Sequence, residues 1–152
     1  MMSKEAQVQS KKLNQKELKK LESYLNQRNS ILVYNNQFQV KIHSHFRDSL
    51  IEKVIMDYTS VLDQIYKQGT EIQTDSIRGS FAVFHTLILR EFTDLPIPKT
   101  NELSILIMVS RTLLDTGIMK EIYNAIPTEQ LNKIEQKMNS VLANFEQMAE
   151  RT

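Results

Sequence analysis

A mainly α-helical fold, five to six helices around one core with a small β-hairpin near residues 31–43, is what this sequence predicts. Three observations carry the expectation. Only three glycines and three prolines occur in 152 residues, too few for a sandwich or barrel, which turns roughly every 8–12 residues. Apolar residues recur at three- and four-residue spacing along most of the chain. The exception is "ILVYNNQFQVKI" at 31–42, where the period becomes two.

The elements follow in order. Residues 1–9 show no pattern and are expected to fray. From Ser10 to about Gln27 the chain is rich in Lys, Glu, Gln and Leu, all good helix formers. Leu18, Leu21 and Leu25 share a face, with Leu13 and Tyr24 beside it. The stripe is thin, and such a helix needs something to lean on. Next, Ile31–Tyr34 reads as one strand and 38–43 as a second. "NNQ" lies between them, because Asn tolerates the left-handed conformation a tight turn requires. Phe38, Val40 and Ile42 form the expected buried face. Two strands alone are marginal, so that face must pack on helices or extend another sheet.

Ser49 followed by Glu52 matches a capping box, with Asp48 as a competing cap. The run Leu50 to Tyr66 then keeps helical spacing, and Gly69 is placed to end it. Thr74 or Asp75 caps a third helix. Ile77, Phe81, Phe84, Ile88 and Phe92 make one apolar face, and Val83, Leu87 and Leu89 add another. A helix apolar over most of its circumference is central. It must stop near Asp94, before Pro96 and Pro98. Ser104–Val109 could be a buried strand. The spacing Leu103, Leu106, Ile107, Ser110, Leu113, Leu114 favours a helix, capped by Thr100 and ended by Gly117. A short helix carries Ile118, Met119, Ile122 and Tyr123, and Pro127 separates it from the last. That last helix, capped by Thr128, holds the cleanest pattern: Leu131, Ile134, Met138, Val141, Phe145 and Met148 alternate three and four apart. Leu142 widens the stripe beyond a strict coiled-coil seam. The helix is therefore either part of its own core or a partner surface. The chain divides into a basic helical arm (1–30), a helical core with the hairpin (31–127) and a C-terminal amphipathic helix (128–152).

Composition restricts function. The chain has no cysteine, which removes disulfides, thiolate nucleophiles, iron–sulfur clusters and cysteine zinc sites. Residues 1–30 lack the apolar segment of a secretory leader, and "LSILIMV" at 103–109 is far short of a membrane span. A soluble cytoplasmic protein without membrane contact is expected. Net charge is +1, but residues 1–30 hold seven Lys/Arg against three Glu, a net of +4, so the remainder carries −3. A basic arm is either a solvated helix or a contact for nucleic acid or an acidic partner. Lys12, Lys16, Lys19 and Lys20 would form the stripe able to follow phosphates. Glu17 and Glu22 interrupt it, and no helix-turn-helix signature with a glycine turn accompanies it.

Catalytic and metal constellations are thin. His43 and His45 in "VKIHSHFRDS" would share one side of a strand and could share a metal. That needs a third ligand, and the only other histidine, His85, lies in a nearly apolar helix. The favoured reading is a strand-to-helix seam, with Phe46 placed as a hydrophobic staple. His85, beside Phe81 and Phe84, reads as a hydrogen-bonded core histidine. No nucleophile elbow, phosphate loop or calcium loop is present, and Asp57 and Asp63 fall on or near exposed helix faces. Neither an enzyme nor a cofactor is expected.

The stretches "FHTLILREFTDLPIPKT" and "LLDTGIMKEIYNAIP" carry a resemblance. A hydrophobic helix ending in F-T-D-L, a Pro-containing linker, and a helix ending in L-x-D-x-G-[IL] resemble small tailed-phage and prophage proteins of low-GC Gram-positive bacteria. The hairpin "YNNQFQVKI" is similar to the start of such proteins. The likeness covers roughly residues 81–127. Some of these proteins resemble tail assembly chaperones, which implies a helical factor that holds an aggregation-prone structural subunit in the host cytoplasm. No catalytic residue is implied.

The residues and the resemblance converge on a non-enzymatic protein-binding module. Leu131, Ile134, Met138, Val141, Phe145 and Met148 are its expected contact, with a structural subunit or with a second copy of the chain. A nucleic-acid-binding or regulatory protein that uses the basic N-terminal helix is the alternative.

Overall fold

Six helices and one antiparallel hairpin form among the described residues, 10–67 and 74–150 of this computed structural model, with side chains described for all of these but 74–79, 142 and 145–150. The order is α1 (Gln15–Leu25), β1 (Arg28–Val33), β2 (Phe38–His43), α2 (Asp48–Lys67), α3 (Thr74–Phe92), α4 (Leu103–Asp115), α5 (Ile118–Ala125) and α6 (Thr128–Glu150). Expected and observed elements agree in kind and number. Strand β1 starts three residues earlier than expected and stops before Tyr34, because Arg28, Asn29 and Ser30 pair with His43, Ile42 and Lys41, and helix boundaries differ where a cap decides them. Helix α1 starts five residues later than its composition suggests, because the Asn14 side chain accepts a hydrogen bond from the Glu17 N–H at 2.9 Å and so satisfies one of the free donors of the first turn. Lys12 consequently lies outside the helix. Helix α2 opens at Asp48, with the Arg47 carbonyl accepting from the N–H groups of Leu50 and Ile51, so Ser49 sits inside the first turn and is not the cap. Helix α4 takes Glu102 as its N-terminal boundary, and Thr100 instead accepts from the Glu102 N–H. The expected cap at Gly69 lies outside the described residues.

The hairpin registers Val33 against Phe38 and Ile31 against Val40. Its loop takes three consecutive left-handed residues, Tyr34, Asn35 and Asn36, at φ 56, 55 and 60. Asn accepts that region readily, Tyr seldom. The Tyr34 N–H donates to the Glu121 carboxylate at 3.0 Å, which ties the loop to α5. Val40 and Ile42 are buried as the alternation predicts. Phe38 is not: it lies at the tip, 54% exposed, stacked on Tyr34, because the core ends at Val33 and Val40.

Helix α3 is central and packs on both α2 and α4. Val83, Leu87, Ile88, Leu89 and Phe92 are buried, whereas Phe81 is 59% exposed, one turn beyond the covered part of its face. Inside the core the Thr86 and Ser110 hydroxyls meet at 2.7 Å across α3 and α4. Each is also within hydrogen-bond distance of a carbonyl four residues earlier, so this buried polar pair is satisfied.

The phrase F-T-D-L has a structural explanation. Phe92 stacks on Phe46 with ring centroids 3.9 Å apart and planes 4° apart. Thr93 bridges to Ile42. Asp94 accepts from the Lys41 N–H at 2.8 Å and returns its own N–H to the Lys41 carbonyl. The end of α3 is thereby latched to β2. The phrase ending in glycine is explained likewise: Gly117 at φ +78 ends α4 and starts α5, a conformation that L side chains rarely adopt.

Candidate protein-binding groove

Three helices leave an apolar groove between them. Phe84, His85 and Ile88 of α3 form one wall, Tyr123 of α5 the floor, and Leu131, Ile134, Glu135, Met138 and Asn139 of α6 the other wall, around about 360 Å³. The helical periodicity of α6 creates it: residues three and four apart share a face, so Leu131, Ile134 and Met138 line up along one side. Ile134 is buried and belongs to the domain's own core. Leu131, Met138 and Val141 are half-buried and pack against that core. The seam read from the sequence is therefore shared: Ile134 is buried in the core and also lines the groove, and Leu131 and Met138 are half-buried beside it. Phe145 and Met148 lie among the residues whose side chains are not described.

Helix α6 is held in place at its first turns. The Phe46 N–H donates to Gln130 Oε1 at 2.7 Å, and Lys133 Nζ donates to the Phe46 carbonyl at 2.7 Å. Both backbone groups of this fully buried phenylalanine are thus satisfied by α6. That settles the local role of the H-x-H-F stretch. His43 lies edge-on to Phe92, and His45 lies against Tyr24 with ring centroids 4.4 Å apart and planes tilted by 36°, so the two imidazoles have different neighbours. Among the described residues, no group of three or more His, Asp or Glu side chains is placed to hold a metal ion.

The groove has one internal polar pair. His85 Nδ1 lies 2.9 Å from the Tyr123 hydroxyl, and the rings meet at 90°. Burial lowers the His85 pKa and raises that of Tyr123 well above its ordinary value. Both groups are neutral near pH 7, since desolvation penalises the charged form of each. The pair orients the two rings and adds no charge of its own, so Glu135 is the charged group that lines the groove.

Sequence reasoning missed a second cluster, at the α2–α3–α4 junction. Asp57 accepts from Lys53, Arg90 and Asn101 at 3.1 Å each, and Lys53 also pairs with Glu91 at 3.0 Å. The Asp57 side chain is only 18% exposed, so it is not on an open helix face as its spacing suggests. Burial pulls its pKa upward, but hydrogen bonds from Asn101 and Lys53 and the charges of Lys53 and Arg90 outweigh that and hold it below the usual value. Arg90 also donates to the carbonyls of Pro98 and Thr100. The cluster fastens the proline-containing linker onto α2. Its one sequence signal is a guanidinium near the end of an otherwise apolar helix.

Of the basic arm, residues 28–30 belong to β1, and α1 lies outside the core. Helix α1 has no buried residue. Lys16, Lys19 and Lys20 line a shallow concavity with Ser23, Tyr24 and Gln27, and Lys12 precedes the helix. Leu13, Leu18, Leu21 and Tyr24 are 52–62% exposed. No helix among the described residues is long and apolar enough to cross a membrane.

Comparison with known proteins adds one relationship. No curated protein and no solved structure matches the chain. The profile of the family YomO matches residues 15–152, from the first residue of α1 through the groove-lining turns of α6, and takes in both phage-like phrases. The chain belongs to the YomO family, a family of phage/prophage type.

Proposed function

We propose that this phage-type protein is a non-catalytic assembly or accessory factor, akin to a tail assembly chaperone, that holds another protein in the cytoplasm of a bacterial host through its amphipathic helices. The observation that supports this most is the α3–α5–α6 groove. It is apolar, open, formed by three helices and lined also by Glu135 and Asn139, as a site for a partner's apolar helix or segment would be. Deleting α6 is a poor test, because it also removes the bonds that hold Phe46. Point substitution at the outer turns is cleaner. Full-length tagged protein should capture one dominant protein from its source lysate, and Met138→Glu with Val141→Glu should abolish capture while far-ultraviolet circular dichroism keeps its helical signal. Capture that survives in the folded double variant would sink the reading.

A second reading rests on the placement of Lys16, Lys19 and Lys20 on one exposed face of α1. Binding of nucleic acid there would show in the same eluate as nucleic acid that is lost with rising salt and lost when those three lysines are replaced by alanine.

A further inference from the structure

Two apolar surfaces of this chain are left at least partly open, and their residue spacings match. One is the stripe on α1 made of exposed Leu18 and Leu21 and half-buried Leu25. The other is the groove beside Leu131, Ile134 and Met138. Both rows step three residues and then four, the spacing at which side chains of one helix enter the gaps of another. Both rows also run seven residues, about 10.5 Å of helix. The exposure of Leu18 and Leu21, 56% and 52%, shows that α1 does not fill the groove of its own copy. Its C-terminal end is instead tied to the strand-to-helix seam, by Tyr24 against His45 and by Arg47 donating to the Asn26 side chain. An eleven-residue helix with no buried residue is marginal in water and gains stability from burial of its apolar face. Charge favours the same encounter between copies. Residues 1–30 carry +4 and the remainder −3, with the Glu135 carboxylate at the groove itself, a complementarity that steers association before contact.

We infer that α1 of one copy docks its leucine stripe in the α3–α5–α6 groove of a second copy, and that the exchange is reciprocal. Two identical arm-to-groove contacts related by a two-fold axis close the assembly as a dimer. This rests on the groove being the protein-binding site, and it names the occupant.

The natural chain has no cysteine, which permits a direct test. Leu21→Cys and Met138→Cys are prepared separately, mixed, and treated with a short bis-maleimide. Expected is a cross-linked dimer at least tenfold more abundant in the mixture than with either variant alone. Sedimentation of the unsubstituted chain should show a species of twice the chain mass that dissociates on dilution. Leu18→Glu with Leu21→Glu should remain monomeric with an unchanged helical spectrum, since neither side chain touches the core. Three results would overturn the inference: a monomer at every concentration, cross-linking of Leu21→Cys alone at the level of the mixture, or a dimer indifferent to the two glutamates. A monomer whose arm binds phosphatidylglycerol vesicles would overturn it in favour of a lipid surface. A monomer that still captures a foreign protein through Met138 and Val141 would overturn self-docking and leave the proposed function standing. A dimer that captures nothing would do the reverse.

Discussion

Two imidazoles and one carboxylate set the pH behaviour at the scale of single residues. His43 and His85 both have pKa values lowered from 6.5. Burial is the main cause at each, and the neighbouring charges of Arg28 and Arg47 add to it at His43 against an opposing effect of Glu91. Folding then excludes protons that the unfolded chain binds. The stabilising contribution is complete above about pH 6.5 and declines as pH falls toward the folded values. The urea midpoint should drop between about pH 7.5 and 5.5, and less steeply in His43→Gln/His85→Gln. A midpoint that rises on acidification would refute the assignment. Asp57 acts in a lower window: its contribution is present above its ordinary 3.8 and lost as pH falls through its depressed value. Replacing Asp57 with Ala leaves the 9% exposed Arg90 side chain without its anionic partner. The expected cost is about 2–3 kcal/mol in equilibrium unfolding. Lys67→Ala, which breaks an open pair with Asp63, should change nothing measurable. The hydrogen-bonded state of His85 was legible from Phe81 and Phe84 around it. Its partner was not, because Tyr123 lies 38 residues away.

Helices and strands were legible where local physics decides them. The hairpin follows from a two-residue period and an Asn-rich turn, and α4 from three-and-four spacing that outlasts its strand-like start. Boundaries depended on single caps, such as Asn14, that compete with equally plausible neighbours. The burial of each face was less legible. Helices α1 and α6 both read as amphipathic ends, yet α1 buries nothing and α6 contributes Ile134 to the core and two bonds to Phe46. Their removal should therefore differ. A chain beginning at Gln27 should unfold within about 0.5 kcal/mol of the full chain, measured at a dilution where any self-association is absent. A chain ending at Pro127 should lose several kcal/mol, from the emptied Ile134 site and the unsatisfied backbone of Phe46. Equal losses would mean that the α1 stripe packs on the core in solution.

At the scale of the whole molecule, the phage-like phrases turn out to be joints. F-T-D-L closes α3 onto the hairpin, and the glycine of the second phrase turns α4 into α5. A resemblance built on such phrases follows the scaffold, which is why it reached the family and not the partner. The groove is assembled from three helices and the polar cluster from α2, α3 and the linker, so neither has a contiguous signature. The sequence by itself determined the class of fold, the number and kind of elements, and the relationship to phage proteins. Each of these rests on periodicity, turn chemistry or short phrases, which are local and survive in one dimension. Only the tertiary structure decided that the α6 seam is shared between core and groove, that Asp57 is enclosed, and that Leu18 and Leu21 of α1 are left uncovered. Those outcomes depend on which faces meet across tens of residues, as Phe46 meets Gln130 at a separation of 84, and spacing along the chain carries no record of that.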